Sequence, residues 1–272
     1  VLLIVTGYTI ALSPFFLKQI DRLCKYINSP VQVYFIVTLF GFLVSMISWG
    51  WIVAAAALGR SLSNKIKGVN YPFLIACTYF SNNSWVTGLS SSIPLLLNTK
   101  DNYLIKAGII ENTISTTETL GSFLNGIVIL CYLVIGTLIM IMIRPKSSEG
   151  KELKDYLISG ENSKNDRTIE EEADSQKLPS KALSDKMNNS FLLVIIIFFF
   201  GLIYTLRYFI MNGFDLNLNI MIFIFLMLGL VMHRSPLRFS IAMRRSSSNV
   251  SSILFQFPFY AGIMGIMIYT GL

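Results

Sequence analysis

The stretch Ser81-Asn82-Asn83-Ser84-Trp85-Val86-Thr87-Gly88-Leu89-Ser90-Ser91-Ser92-Ile93-Pro94 decides how the chain is read. It lies inside an uncharged run, residues 69–99, that is 31 residues long. About 20 apolar residues suffice for a helix to cross a bilayer. The middle of this run, however, is hydroxyls, amides, a glycine and a proline. Gly88 and Pro94 weaken a helix, and serines compete for its backbone hydrogen bonds. Irregular backbone at membrane depth persists only where protein or a watery cavity satisfies its polar groups. The apolar flanks, 69–79 and 95–99, are each too short to span alone. Two half-helices meeting at a polar break are therefore expected, an arrangement with which transporters build a binding site at the midplane. The alternative is a tight re-entrant or surface loop between ordinary helices.

Composition supports a membrane setting. Hydrophobic residues make up 53% of the chain and charged residues only 14%, where soluble domains carry about 25%. The fold class expected is an all-α polytopic membrane protein whose partner is the lipid bilayer. The net charge of +7 comes from basic residues in short loops beside apolar runs, as the positive-inside rule requires. It does not point to nucleic acid. Cys24, Cys77 and Cys131 show no metal-ligand spacing, and an odd number argues against a disulfide framework.

Outward from the break, residues 31–59 form a second uncharged run. As one helix it would extend about 43 Å, against a hydrocarbon core of roughly 30 Å. Tilt could absorb the excess, or two short helices could dip in and return. Charge favours the re-entrant hairpin, because only then do the basic loops 18–30 and 60–68 fall on one face. Residues 1–17 are apolar, with Pro14 at a kink or an end. Residues 119–143 read as a plain span. Residues 144–189, with Glu170-Glu171-Glu172, read as a solvated linker without chemistry of its own. Two more spans, 190–206 and 216–232, precede a basic loop, 233–245, in which His233 reads as an interfacial residue. Residues 246–272 lead outward again. Loops 18–30, 60–68, 144–189 and 233–245 are thus assigned to the cytoplasmic side. The chain begins within one apolar run and ends after another, so it is read as a piece of a longer transporter lacking both ends.

At the level of motifs, Ile4-Val5-Thr6-Gly7, Ser29-Pro30-Val31-Gln32 with Trp49-Gly50, Tyr71-Pro72-Phe73-Leu74-Ile75-Ala76-Cys77, Gly88-Leu89-Ser90 and Gln256-Phe257-Pro258-Phe259-Tyr260-Ala261-Gly262-Ile263 resemble the bacterial short-chain fatty acid transporters, the acetoacetate and butyrate permeases of the ion transporter superfamily. The resemblance implies an inverted-repeat transporter, each repeat with a re-entrant hairpin and a broken helix. By that comparison 1–143 is the first repeat, with hairpin 31–59, broken helix 69–99 and helix 119–143. Residues 144–189 are the linker, and 190–272 the start of a truncated second repeat. It further implies uptake of monocarboxylates across a bacterial inner membrane, with a homodimer as the candidate assembly. The chain departs from the family pattern at Ser48, where asparagine is usual, at Val86 and Thr87, where glycines are usual, and at Ser91.

A short carboxylate needs its head held and its tail buried. Ser84, Thr87, Ser90, Ser91 and Ser92 offer hydroxyls, and Gly88, Gly50, Ser48, Trp49 and Trp85 complete the candidate site. Hydroxyl and carbonyl oxygens also suit Na⁺, expected near Ser48, Ser90 and Ser92. No Asp, Glu or His lies in either interrupted run, whereas proton coupling usually uses one. This favours Na⁺ coupling or passive exchange; no other cofactor is expected. Two further readings are a carrier for di- or tricarboxylates, which would want more cations, and an intramembrane serine hydrolase. The latter lacks the closing glycine of the Gly-x-Ser-x-Gly motif.

Overall fold

The computed structural model describes residues 1–25, 27–146, 151–156, 168–176 and 182–270. Among these the chain is helical, without strands. In order, the helices are α1 (Leu2–Ala11), α2 (Pro14–Lys25), α3 (Pro30–Ile47), α4 (Trp51–Lys65), α5 (Tyr71–Ser81), α6 (Ser92–Leu97), α7 (Tyr103–Lys106), α8 (Thr116–Thr119), α9 (Phe123–Leu130) and α10 (Thr137–Met142). Then come α11 (Leu153–Tyr156), α12 (Ile169–Ser175), α13 (Leu183–Asn188), α14 (Phe191–Asn212), α15 (Leu218–His233) and α16 (Pro236–Thr270). A 3₁₀ segment, Asn82–Thr87, continues α5, and a π-helical segment, Cys131–Gly136, joins α9 to α10.

Three stretches, Pro30–Ile47, Phe123–Met142 and Phe191–Asn212, are long and apolar enough to cross a membrane. The chain is a multi-pass membrane protein by this measure. Local chemistry sets where its helices start. Ser29 caps α3 ahead of Pro30, and Asn70 caps α5 by accepting from Phe73 N at 3.0 Å, ahead of Pro72. Proline in a first turn costs no hydrogen bond, because that N–H has no intrahelical partner.

Helices α3, α4 and α5 pack into one body. Its interior is Val33, Val37, Trp51, Leu58, Leu62, Leu74 and Cys77. Helix α1 lies between that body and the pair α15 and α16. Leu3 packs with Met221 and Phe225, while Val5 and Tyr8 pack with Val250. On its other side α1 meets the interruption between α3 and α4 backbone to backbone. A Cβ on Gly50 would stand 2.4 Å from the Gly7 carbonyl oxygen, and one on Gly7 would stand 2.6 Å from Ser48 Oγ. Only glycine permits this approach.

Several segments read as loops are largely helical. The basic segment 18–30 is mostly α2, which turns 60° from α1 across a two-residue break before Pro14. Lys18, Arg22 and Lys25 recur at helical spacing along it, while Ile20 is buried. Segment 60–68 is largely the end of α4, and 233–245 is largely the start of α16. Basic residues mark a side of the membrane; they do not exclude helix. His233 is fully buried within the protein, with Nε2 2.8 Å from the Thr9 carbonyl. The linker also does more than connect. Ile169 and Ala173 of α12 pack on Ile241 and Ala242 of α16. Glu170 pairs with Arg238 at 2.9 Å, and Glu172 pairs with Arg244 and Arg245.

Two predictions follow from this packing. Burial alone would raise the Glu172 carboxyl, but the hydrogen bonds and charges of Arg245 and Arg244 outweigh it and hold the carboxyl below its ordinary range. A depressed carboxylate stabilises the folded state above its unfolded pKa, and the contribution is lost as pH falls through the lowered value. The protection factors of residues 169–175, corrected for the intrinsic pH dependence of amide exchange, are therefore expected to be higher at neutral pH than below about pH 4. Gly50→Ala should destabilise the purified protein by about 1–3 kcal/mol, read as earlier unfolding in detergent.

Candidate functional site: two interlocked helix breaks

The first break, Ser48-Trp49-Gly50, separates α3 from α4. The second runs from the 3₁₀ segment through Gly88, Leu89, Ser90 and Ser91 to α6. Pro94 falls in the first turn of α6, so the helix restarts with a proline where one is tolerated.

The last carbonyls of a helix have no intrahelical partner. At the end of α3 the second break supplies them. Ser90 N–H donates to the Met46 carbonyl at 3.1 Å, and Ser90 Oγ donates to the Ser45 carbonyl. Ser90 Oγ also lies 3.0 Å from the Trp85 carbonyl. The two breaks touch so closely that a Cβ on Gly88 would stand 2.1 Å from the Met46 oxygen. Trp49 and Trp85 meet edge to face, centroids 5.6 Å apart.

Behind this contact lies a buried group of oxygens. Ser45 Oγ and Ser84 Oγ are 2.6 Å apart; the first reaches the Ser81 carbonyl at 2.9 Å and the second the Phe42 carbonyl at 2.8 Å. Each hydroxyl has one hydrogen, so two of these three contacts are made at a time. Trp51 Nε1–H donates to Ser81 Oγ at 2.8 Å, and Ser81 Oγ donates to the Thr78 carbonyl at 2.8 Å. Thr87 Oγ1 donates to the Ser84 carbonyl, and Asn125 of α9 donates to the Thr87 carbonyl at 3.0 Å.

The structure therefore brings Ser48, Trp49, Gly50, Ser84, Trp85, Thr87, Gly88 and Ser90 to one region. Ser91 is buried at the start of α6, while Ser92 is exposed. The hydroxyl hydrogens of Ser84, Thr87 and Ser90 are used on protein oxygens. Their lone pairs remain, which suits a cation better than a carboxylate head. Two polar atoms in the breaks have no partner: Trp49 Nε1, a donor, and Asn82 Oδ1, an acceptor. Burying such an atom unpaired costs about 1–3 kcal/mol. Gly7, Ser45, Ser81, Asn82 and Asn125 escaped the sequence reading of the site. Ser81 and Asn82 stood in the quoted stretch; Gly7, Ser45 and Asn125 take their places only through tertiary contact. Ser90 is bonded to backbone carbonyls and His233 to α1, so neither forms the serine–histidine pair a hydrolase requires.

The chain is matched over residues 1–272 by the model of the family described as "Short chain fatty acid transporter", and it belongs to that family. It is similar to a protein of Haemophilus influenzae described as "Putative short-chain fatty acid transporter", with 33% identity over 276 residues, 100% of this chain and 60% of the relative. It is equally similar to a protein of Escherichia coli K12 with the same description, 33% identical over 274 residues, 100% of this chain and 59% of the relative. The chain thus spans about three fifths of the length of these curated relatives. No solved structure matches it.

Gly88→Ala should separate the breaks, because the opposing atom is backbone and cannot rotate away. Ser90→Ala removes one donor and should cost about 1–3 kcal/mol of stability. Thermal unfolding in detergent should rank Gly88→Ala below Ser90→Ala, and Ser90→Ala below the parent.

Proposed function

We propose that the chain handles the substrate of a secondary transporter for short-chain monocarboxylates such as butyrate and acetoacetate, in the inner membrane of a bacterium. The observation that carries this reading is the interlock of two uncharged helix breaks with an unpaired indole N–H between apolar walls. Trp49 Nε1–H is an uncommitted donor for a carboxylate oxygen. The rings of Trp49 and Trp85 can cover a short alkyl tail. Family membership and the descriptions of the two relatives support the substrate class.

In this reading Na⁺ is the coupling ion. Neither break holds a carboxylate or a histidine that could carry a proton, and the hydroxyl and carbonyl oxygens of Ser45, Ser81, Ser84 and Ser90 retain lone pairs. The segments 31–59 and 69–99 act as a re-entrant hairpin and a broken helix that move together. Segments 1–143 and 190–272 belong to successive repeats joined by 144–189. Transport is the whole activity in this reading, without catalysis of a covalent step. A di- or tricarboxylate carrier fits less well, because no cationic side chain lies in either break.

Uptake of butyrate and acetoacetate into proteoliposomes tests the proposal. Saturable uptake should rise with an inward Na⁺ gradient. Trp49→Phe, which keeps the ring and removes the N–H, should raise KM by about tenfold, the loss of one hydrogen bond to a charged group. Uptake of neither acid under any gradient would contradict the substrate assignment.

A further inference from the structure

The candidate transport site contains no charge, yet four cationic side chains line a cavity elsewhere. It has a volume of 370 Å³ and lies where α2, the turn between α15 and α16, and α12 converge. Lys18 and Arg22 face it from α2, Arg234 from the turn and Arg238 from α16. Among the described side chains, Glu170 is the one carboxylate on its lining, and it pairs with Arg238 at 2.9 Å. Lys18, Arg22 and Arg234 are bound by no carboxylate among the described side chains. His233 also lines the cavity, and its Nδ1 has no hydrogen-bond partner.

Backbone conformation singles out one of these cations. Arg234 ends α15 at φ 62°, and it is the one non-glycine residue with positive φ among those described. Glycine or asparagine usually takes that position, since a Cβ is unfavourable there. A strained residue of this kind persists where its side chain or its surroundings require it, often at a ligand clamp. Arg234 stands on the cavity beside three other cations, so the strain coincides with a concentration of positive charge. Helix α2, bent from α1 and amphipathic, has the form of a helix lying in the membrane interface.

We infer that this cavity binds the phosphate of an anionic phospholipid headgroup. Arginine forks match phosphate oxygens, and a basic pocket between membrane helices is a site of this kind. Glu170 acts as a competing internal anion that withholds Arg238 from the ligand. The inference is independent of the substrate handled by the helix breaks.

Native mass spectrometry of the detergent-purified chain, mixed with phosphatidylglycerol and phosphatidylcholine, tests it. The parent should retain phosphatidylglycerol in preference. Lys18→Gln with Arg234→Asn should reduce that preference by about tenfold or more, two surface cations' worth; asparagine keeps the left-handed conformation accessible. Arg144→Gln with Lys146→Gln, an equal charge change outside the cavity, should leave it unchanged. Glu170→Gln should increase retention. Should the Arg234 variant fail to fold, Lys18→Gln alone, at an exposed position of α2, should still lower the preference. Equal binding of the two lipids by the parent, or equal losses from both double variants, would overturn the inference. Displacement of the bound lipid by millimolar inorganic phosphate would identify the ligand as free phosphate and would overturn the lipid assignment.

Discussion

The arrangement depends on how the carbonyls at the end of α3 are satisfied. A helix that stops inside an apolar body leaves acceptors that water cannot reach. Here Ser90 meets two of them, with its backbone N–H on Met46 and its hydroxyl on Ser45. Each break is thus tolerable only because the other is present. Gly88 allows the contact, and Gly50 lets α1 close over it. The oxygens of Ser45, Ser81 and Ser84 and the ring of Trp51 then fix how α3, α4 and α5 stack. What this network leaves uncommitted, the indole N–H of Trp49 and the amide oxygen of Asn82, marks where a ligand would relieve a cost that the fold otherwise bears.

Helix α1 extends this dependence across the molecule. One side carries Gly7, against the first break. The opposite side carries Thr9, whose carbonyl meets His233 of α15 and whose hydroxyl lies 3.2 Å from Ser246 Oγ of α16. A displacement of the breaks relative to α15 and α16 would disturb these contacts of α1, and also the direct packing of Leu95 of α6 on Met221 and Phe225 of α15. The acidic helix α12 ties the linker to the basic start of α16.

Much of this was legible in the sequence, for identifiable reasons. Gly88, Pro94 and the serines between them announce a break because their backbone preferences oppose a helix in any surroundings. The 29 uncharged residues of 31–59, together with the basic segments on either side, announce a second interruption. Other features depend on contacts that no local pattern encodes. Nothing near Gly7 or Asn125 shows that each would meet a break. The cations of α2 and α16 read as loop charge, because charge density identifies a side of the membrane and says little about helicity. His233 reads as interfacial from its basic neighbours, but its burial follows from the carbonyl that Thr9 presents to it.

The chain's three tryptophans, Trp49, Trp51 and Trp85, all lie at the two breaks, so tryptophan emission reports on this region. Titrating the purified protein with butyrate is the most direct test that the interlocked breaks are the binding site. The account predicts a saturable change in tryptophan emission that is strongly reduced in Trp49→Phe. Emission that stays constant through concentrations at which butyrate is taken up would place the substrate elsewhere and contradict it.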